Sequence, residues 1–157
     1  MTFGEKQTNP LAKTHWRGDM QADYFYPSGL AGDKFFKHLK ENDSFLATKC
    51  TKCNKVLFPA RLYCEDCFNE IPDSDWIEVP ASGKIKLFTV AKLDAHGEKL
   101  KDPKVIALID IDNTDGTLLG IINSKDYDRD FTGAKVKAIL RPKENREGTL
   151  KDIKYWE

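Results

Sequence analysis

The sequence runs to 157 residues with 40% hydrophobic and 32% charged side chains, and its 25 Lys and Arg balance 25 Asp and Glu. That length holds one mid-sized domain or two small ones and excludes the core of a large α/β enzyme. The longest apolar runs, 105–109 and 118–122, fall far short of the ~20 residues of a membrane span. No segment is basic enough for strong nonspecific nucleic-acid binding, and residues 1–26 hold no apolar signal core, so a cytoplasmic protein away from the membrane is expected.

The N-terminal stretch carries four large aromatics, Trp16, Tyr24, Phe25 and Tyr26, without convincing periodicity. They either fold back over the rest of the chain or dock on a partner subunit, where aromatics are enriched at interface cores. Gly29 and Gly32 separate this stretch from a short helix expected over 34–41 and capped by Asp33. On that helix Phe35, Phe36 and Leu39 form one apolar stripe, mostly opposite Lys34, Lys37 and Lys40.

All four cysteines then fall within eighteen residues: Cys50, Cys53, Cys64 and Cys67. The spacing is Cys-x2-Cys-x10-Cys-x2-Cys with no thiol left over. Two residues between cysteines let both sulfurs face one ion from a tight turn, and two such knuckles complete a tetrahedral site with Zn–S distances of about 2.3 Å. Disulfides are disfavoured without an export signal, and a redox dithiol needs one pair in a βαβ setting. Iron would use the same four ligands as zinc. A four-thiolate site keeps no position open for water or substrate, so it is structural, and no cysteine remains as a nucleophile. Asn54 follows the first pair where a left-handed backbone is often needed and Asn tolerates it; Phe68 follows the second pair and suits such a turn poorly.

Beyond the cysteines, five short strands are expected. Residues 84–93 alternate Ile85, Leu87, Thr89 and Ala91 against Lys84, Lys86, Phe88 and Val90. A polar loop over 94–103 leads to 104–112, and Asn113, Asp115 and Gly116 turn the chain into 117–123. Residues 135–141 face Val136, Ala138 and Leu140 one way, 142–148 form a polar hairpin, and 150–156 make the last strand. Five strands with turn chemistry between them suggest a small antiparallel barrel, whose closure removes exposed edges; the OB-fold is the five-stranded barrel of this size.

Other chemistry is sparse. His15, His38 and His96 lack companions at catalytic spacing and read as solvated surface residues. No phosphate loop, serine elbow or His-Glu-x-x-His pattern occurs. Asp126, Asp128 and Asp130 alternate, yet the Gly and terminal Glu of a calcium loop are missing, and a solvated connection is the better reading.

Taken together, Phe35-Phe36-x-x-Leu39, Cys50-x-x-Cys53, Phe58-Pro59-Ala60-Arg61, Cys64-x-x-Cys67, Trp76-Ile77-Glu78-Val79 and Gly83 resemble a known family. In it a rubredoxin-like zinc ribbon joins an OB-fold, in small proteins that accompany acyl-CoA enzymes. The resemblance covers residues 33–157, and Tyr24-x-Tyr26 before Gly29 is similar to the subgroup found with heteromeric thiolases, such as benzoylsuccinyl-CoA thiolase. It implies a mainly β protein with an N-terminal helical extension over 1–43, the ribbon over 44–78 and the barrel over 79–157. It further implies a structural Zn2+ on Cys50, Cys53, Cys64 and Cys67, no catalytic residue, and a thiolase-like catalytic subunit as partner, with acyl-CoA at the shared interface. Where many members carry Gly after each cysteine pair, this chain has Asn54 and Phe68. Arg61 is expected to pair with an acidic side chain, the alternative being a partner or CoA phosphate.

Two other functions stay open on the residues alone. An OB-fold single-stranded nucleic-acid module would stack bases on Phe88, Tyr155 and Trp156. A stand-alone acyl-CoA carrier would need an adenine or phosphate cradle that no motif here supplies.

Overall fold

The computed structural model describes residues 26–94 and 96–157, so His15, Trp16, Tyr24 and Phe25 lie outside the described residues. Helix α1 (Gly29–Glu41) starts five residues before the expected 34, taking in Gly29 and Gly32. Asp33 is not its cap. Its carboxylate reaches back to the Ser28 hydroxyl, while Leu30 and Ala31 carry the helix through the earlier turn. The stripe does what its spacing implies, with Phe35 and Leu39 buried.

Three antiparallel strands follow: β1 (Ser44–Lys49), β2 (Val56–Leu57) and β3 (Trp76–Pro80), in the order β2-β1-β3. Phe45 and Ala47 alternate inward from β1, as a strand with one covered face requires. The remaining strands are β4 (Ser82–Leu93), β5 (Lys99–Ile111), β6 (Thr117–Ile122), β7 (Lys135–Leu140) and β8 (Ile153–Trp156). They close a barrel in the order β4-β5-β6-β8-β7, with β7 returning to β4 through Gly83↔Val136. That five-stranded closed barrel is the OB-like fold expected.

Three details depart from the expected strands. A bulge between Ile85 and Leu87 shifts the alternation of β4 by one residue. Leu87 thereby turns out, 62% exposed, and Phe88 and Val90 turn toward the core instead. The second half of the expected 94–103 loop, 99–103, is the start of β5, which pairs as far as Leu93↔Lys99 in one long hairpin. Finally, 150–152 forms a 3-10 turn, because Thr149 and Asp152 close a reciprocal capping box that holds the backbone helical until Ile153.

One continuous core runs through helix, ribbon sheet and barrel. Phe35 and Leu39 meet Phe45, Phe58 and Val79, which pack on Ile85, Ile109 and Trp156. Phe45 stands between, its ring centroid 5.4 Å from Phe58 and 6.1 Å from Trp156. Trp156 lies so close over β6 that a side chain on Gly120 would begin 2.3 Å from its Nε1; only glycine fits.

Two polar clasps hold the pieces in register. The Asp115 N–H donates to the Val56 carbonyl and the Val56 N–H donates to the Asp115 carboxylate, both at 2.8 Å. Beside them a Cβ on Gly116 would lie 2.3 Å from the Phe58 carbonyl oxygen. On the other side the buried Arg146 donates to the Arg141 carbonyl at 2.7 Å, to Leu39 and Asn42 carbonyls at 3.3 and 2.7 Å, and to the Asp43 carboxylate at 2.5 Å. It thus satisfies main-chain acceptors at the end of α1 that no helical bond reaches. Among the described residues no helix is long and apolar enough to cross a membrane.

Candidate metal centre

Each cysteine pair sits on a tight turn. The Cys50 N–H donates to the Lys55 carbonyl and Asn54 N–H to the Cys50 carbonyl, both at 2.8 Å. The second turn repeats this, with Cys64 N–H to Asn69 at 2.9 Å and Phe68 N–H to Cys64 at 3.0 Å. Both turns need a left-handed residue, and Asn54 and Phe68 supply it at φ 61° and 54°. Asn accepts this readily, whereas Phe does so against its own preference.

The turns bring all four sulfurs together. Cys50 and Cys67 lie 3.5 Å apart, Cys53 and Cys64 also 3.5 Å, and all four Sγ atoms fall within 4.8 Å of one another. A tetrahedron with metal–sulfur bonds of about 2.3 Å has sulfur–sulfur edges of about 3.8 Å, so the cluster fits such an ion. Cys50 and Cys64 are buried, Cys67 half-buried and Cys53 exposed.

The electrostatics point the same way. The main-chain N–H of Cys53, helped by that of Lys52, brings the Cys50 thiol down to about 7 against its burial. Those of Cys67 and Asp66 lower Cys64. The Lys55 and Asn69 amides favour the thiolates of Cys53 and Cys67, yet burial and the crowding sulfurs push Cys53 up to about 12 and raise Cys67 as well. Four thiolates in this volume need a cation among them. With four sulfur ligands the site has no open position, so it cross-links the chain and does not activate water.

Lys55 of the first knuckle pairs with Asp66 of the second, and Arg61 pairs with Glu65 inside the connecting loop. Arg61 is therefore engaged in the ribbon.

The remaining candidates hold no catalytic arrangement among the described residues. His38 is only partly exposed and bonded: its Nε2 lies 2.9 Å from the Ser44 hydroxyl, which donates to the Glu78 carboxylate at 3.0 Å, and Asn42 approaches Nδ1 at 3.2 Å. The network assigns the proton to Nε2, since the serine proton goes to Glu78. This is the reverse of a serine triad, and it ties α1 to the ribbon sheet. His96 is exposed, its main-chain N–H donating to Asp94. Asp126 and Asp130 accept main-chain N–H groups two residues on, of Asp128 at 3.3 Å and Thr132 at 2.8 Å, as turn residues in a solvated connection do.

Of the aromatics a nucleic-acid module would use, Trp156 is fully buried, and Phe88 packs on Phe131 with centroids 5.4 Å apart. The barrel's outer face is aliphatic instead. Leu87, Leu108 and Leu119 align across β4, β5 and β6, with Ile106 and Ile121 in the next row. Leu119 is 68% exposed. The expected alternation pointed Leu87 the other way, and only knowledge of the bulge would have placed it outside.

Asp152, expected in the last strand over 150–156, instead closes the capping box of the 3-10 turn. It is fully buried. Burial pushes its carboxyl up, but N–H groups of Glu147, Thr149 and Gly148, with the Arg141 charge, hold it below the usual range. The Thr-x-x-Asp pattern at 149–152 was the available signal.

Comparison with known proteins agrees with this centre. Residues 40–73 match the family model described as ChsH2, rubredoxin-like zinc ribbon domain. The chain is 26% identical over 106 residues to a DUF35 domain-containing scaffold protein of Methanocaldococcus jannaschii, covering 68% of this chain and 74% of that one. A protein of the same description from Methanothermobacter thermautotrophicus is 25% identical over 122 residues, covering 76% and 88%. Among solved structures, a DUF35-family protein of unknown function from Sulfolobus solfataricus superposes with a TM-score of 0.58 at 35% identity, covering 71% of this chain and 78% of that one. The Ltp2-ChsH2(DUF35) aldolase shares the fold, with a TM-score of 0.55 at 18% identity over 73% of this chain and 87% of that chain.

Proposed function

From the premise that this chain belongs to the DUF35 family of zinc-ribbon and OB-fold proteins, we propose that it is a non-catalytic subunit of a heteromeric thiolase or thiolase-like acyltransferase. The observation that carries this reading is the convergence of every cysteine on one closed centre, in a chain whose curated relatives are described as scaffold proteins. A chain built this way has its sulfur committed to architecture and leaves the nucleophile to a partner. The ion on Cys50, Cys53, Cys64 and Cys67 would be zinc, acting as a cross-link in the ribbon.

In this reading the ribbon, the N-terminal aromatics and the outer barrel face bind the catalytic subunit and shape its acyl-CoA entrance, restricting water. The partner supplies the reactive cysteine and the oxyanion hole. The aliphatic outer face supports a protein partner over single-stranded nucleic acid, which would call for exposed aromatics in a cationic groove. Co-purification tests the assignment: the tagged chain should bring down a thiolase-like subunit from its host, and thiolysis should need both chains. Thioester turnover by the purified chain alone would overturn it. Elemental analysis of the same preparation decides between zinc and iron.

A further inference from the structure

The barrel closes unevenly. β5 and β6 share six consecutive pairs, from Val105↔Ile122 to Asp110↔Thr117, whereas β6 meets β8 at the single parallel pair Ile122↔Trp156. Among the described residues, the β8-facing edge of β6 from Thr117 to Ile121 is thus left outside any ladder. A groove of about 420 Å³ runs along it. Its apolar side chains include Leu119, Ile121 and Leu150, which are 68%, 43% and 48% exposed. Arg141, Lys151 and Lys154 also line it, and among the described residues no carboxylate does.

We propose that this groove takes one extended segment of the partner subunit as an added β-strand, with aliphatic residues alternating with Asp or Glu. The open edge selects a peptide over a hydrocarbon chain, because an apolar tail would cover main-chain N–H and C=O groups without bonding them. Strand geometry sends every second side chain toward the apolar floor. The three cations select acidic residues at the positions between. A second copy of this chain is a poor occupant, since two-fold pairing of β6 edges would set the same cations against one another. The inference rests on the subunit reading for the source of the strand.

The test uses the full, metal-loaded chain labelled with 15N and two blocked peptides, one alternating Val with Asp and Glu, the other alternating Val with Lys. In the free chain the amides of 117–121 that face β8 should exchange quickly and gain at least about tenfold protection with the acidic peptide. The lysine peptide should bind at least about tenfold more weakly, and the double variant Lys151→Glu with Lys154→Glu should invert that preference. Equal binding of both peptides, or shifts centred away from β6 and β8, would overturn the proposal. So would edge amides already protected in the free chain, whether freed by deleting residues 1–25 or by dilution with halving of the mass; those results assign the groove to the N-terminal segment or to a second copy. A chain that co-purifies with a thiolase-like subunit yet fails the peptide test keeps the subunit role and loses the groove.

Discussion

The tip of the ribbon and the barrel solve the same problem with different materials. From Cys50 to Ile71 the buried cluster consists of Cys50, Leu57, Cys64 and Ile71, with Cys67 against it; three of these five are ligands. The barrel encloses Ile85, Val105, Ile109, Ile111, Ile122 and Trp156, among others, at about 1.5–3 kcal/mol for each large side chain removed from water. The tip's two aliphatics cannot offset the entropy of ordering some twenty residues at about 1–2 kcal/mol each. The ion among the four sulfurs makes up the difference. The root of the ribbon is another matter, because Phe45, Ala47 and Val79 belong to the barrel's core, and Phe58, within 50–71, reaches into that core from the tip. The division thus falls inside the ribbon, between its tip and its sheet.

Removing the metal should break the comparison most cleanly. Structural zinc in zinc-finger peptides is worth about 10–16 kcal/mol at neutral pH, so chelation or Cys64→Ser should melt the tip. Amide exchange should rise across 50–71 and stay slow in β4 to β8. Collapse of the barrel at the same chelator concentration would show that the two regions do not separate.

The converse cut is Trp156→Ala, expected to cost about 4 kcal/mol as a large cavity opens beside Phe45 and Gly120. Thermal unfolding should shift for the barrel, while the folded fraction keeps a full complement of metal.

The clasp at Arg146 comes next. Arg146→Met should cost about 3 kcal/mol, since it orphans carbonyls of Leu39 and Asn42 and releases Asp43, whose carboxyl the Arg146 hydrogen bond holds low. Denaturant unfolding should show α1 losing protection before the ribbon sheet.

Much of this division was legible in the residues. Cysteine spacing carries its own geometry, because four soft ligands at short intervals have few other uses, and the helix stripe and strand alternation follow from periods of 3.6 and 2. What escaped notice were features that depend on distant partners. Arg146 falls in the expected polar hairpin and Asp152 in the expected last strand, and each is buried only because another element closes over it. The bulge after Ile85 reversed the facing of Leu87 and Phe88, and nothing local in Lys86 announces it. Gly116 and Gly120 are ordinary turn and strand glycines until Phe58 and Trp156 are seen against them.

Asp152 offers a pH test of the same clasp. Its folded-state pKa lies below the unfolded value of about 3.9, so its stabilisation is present above that pH and is lost as pH falls through the lower folded value. Asp152→Asn should cost about 2 kcal/mol at pH 7, because an amide cannot accept from all three N–H groups. The gap between variant and parent should narrow below about pH 4. A gap independent of pH would mean that packing, and not the carboxylate, is what Asp152 contributes.

The smallest effect concerns the two knuckles themselves, which share one backbone path and differ in the residue that takes the left-handed turn. Asn54 is suited to it; Phe68 is held there at φ 54° by its neighbours' bonds, with its ring 82% exposed and hence little packing to lose. Phe68→Gly should therefore stabilise the metal-loaded tip by about 1 kcal/mol, the left-handed cost of a side chain less the extra entropy glycine loses on folding. Asn54→Gly should change it by a few tenths at most. Chelator competition on the two variants separates them. A strained aromatic that stands in solvent is a natural contact for another protein, so under the proposed subunit role the gain in tip stability from Phe68→Gly should come with weaker capture of a partner. If the glycine variant loses stability instead, the ring is packing on the tip, and the two knuckles are equivalent after all.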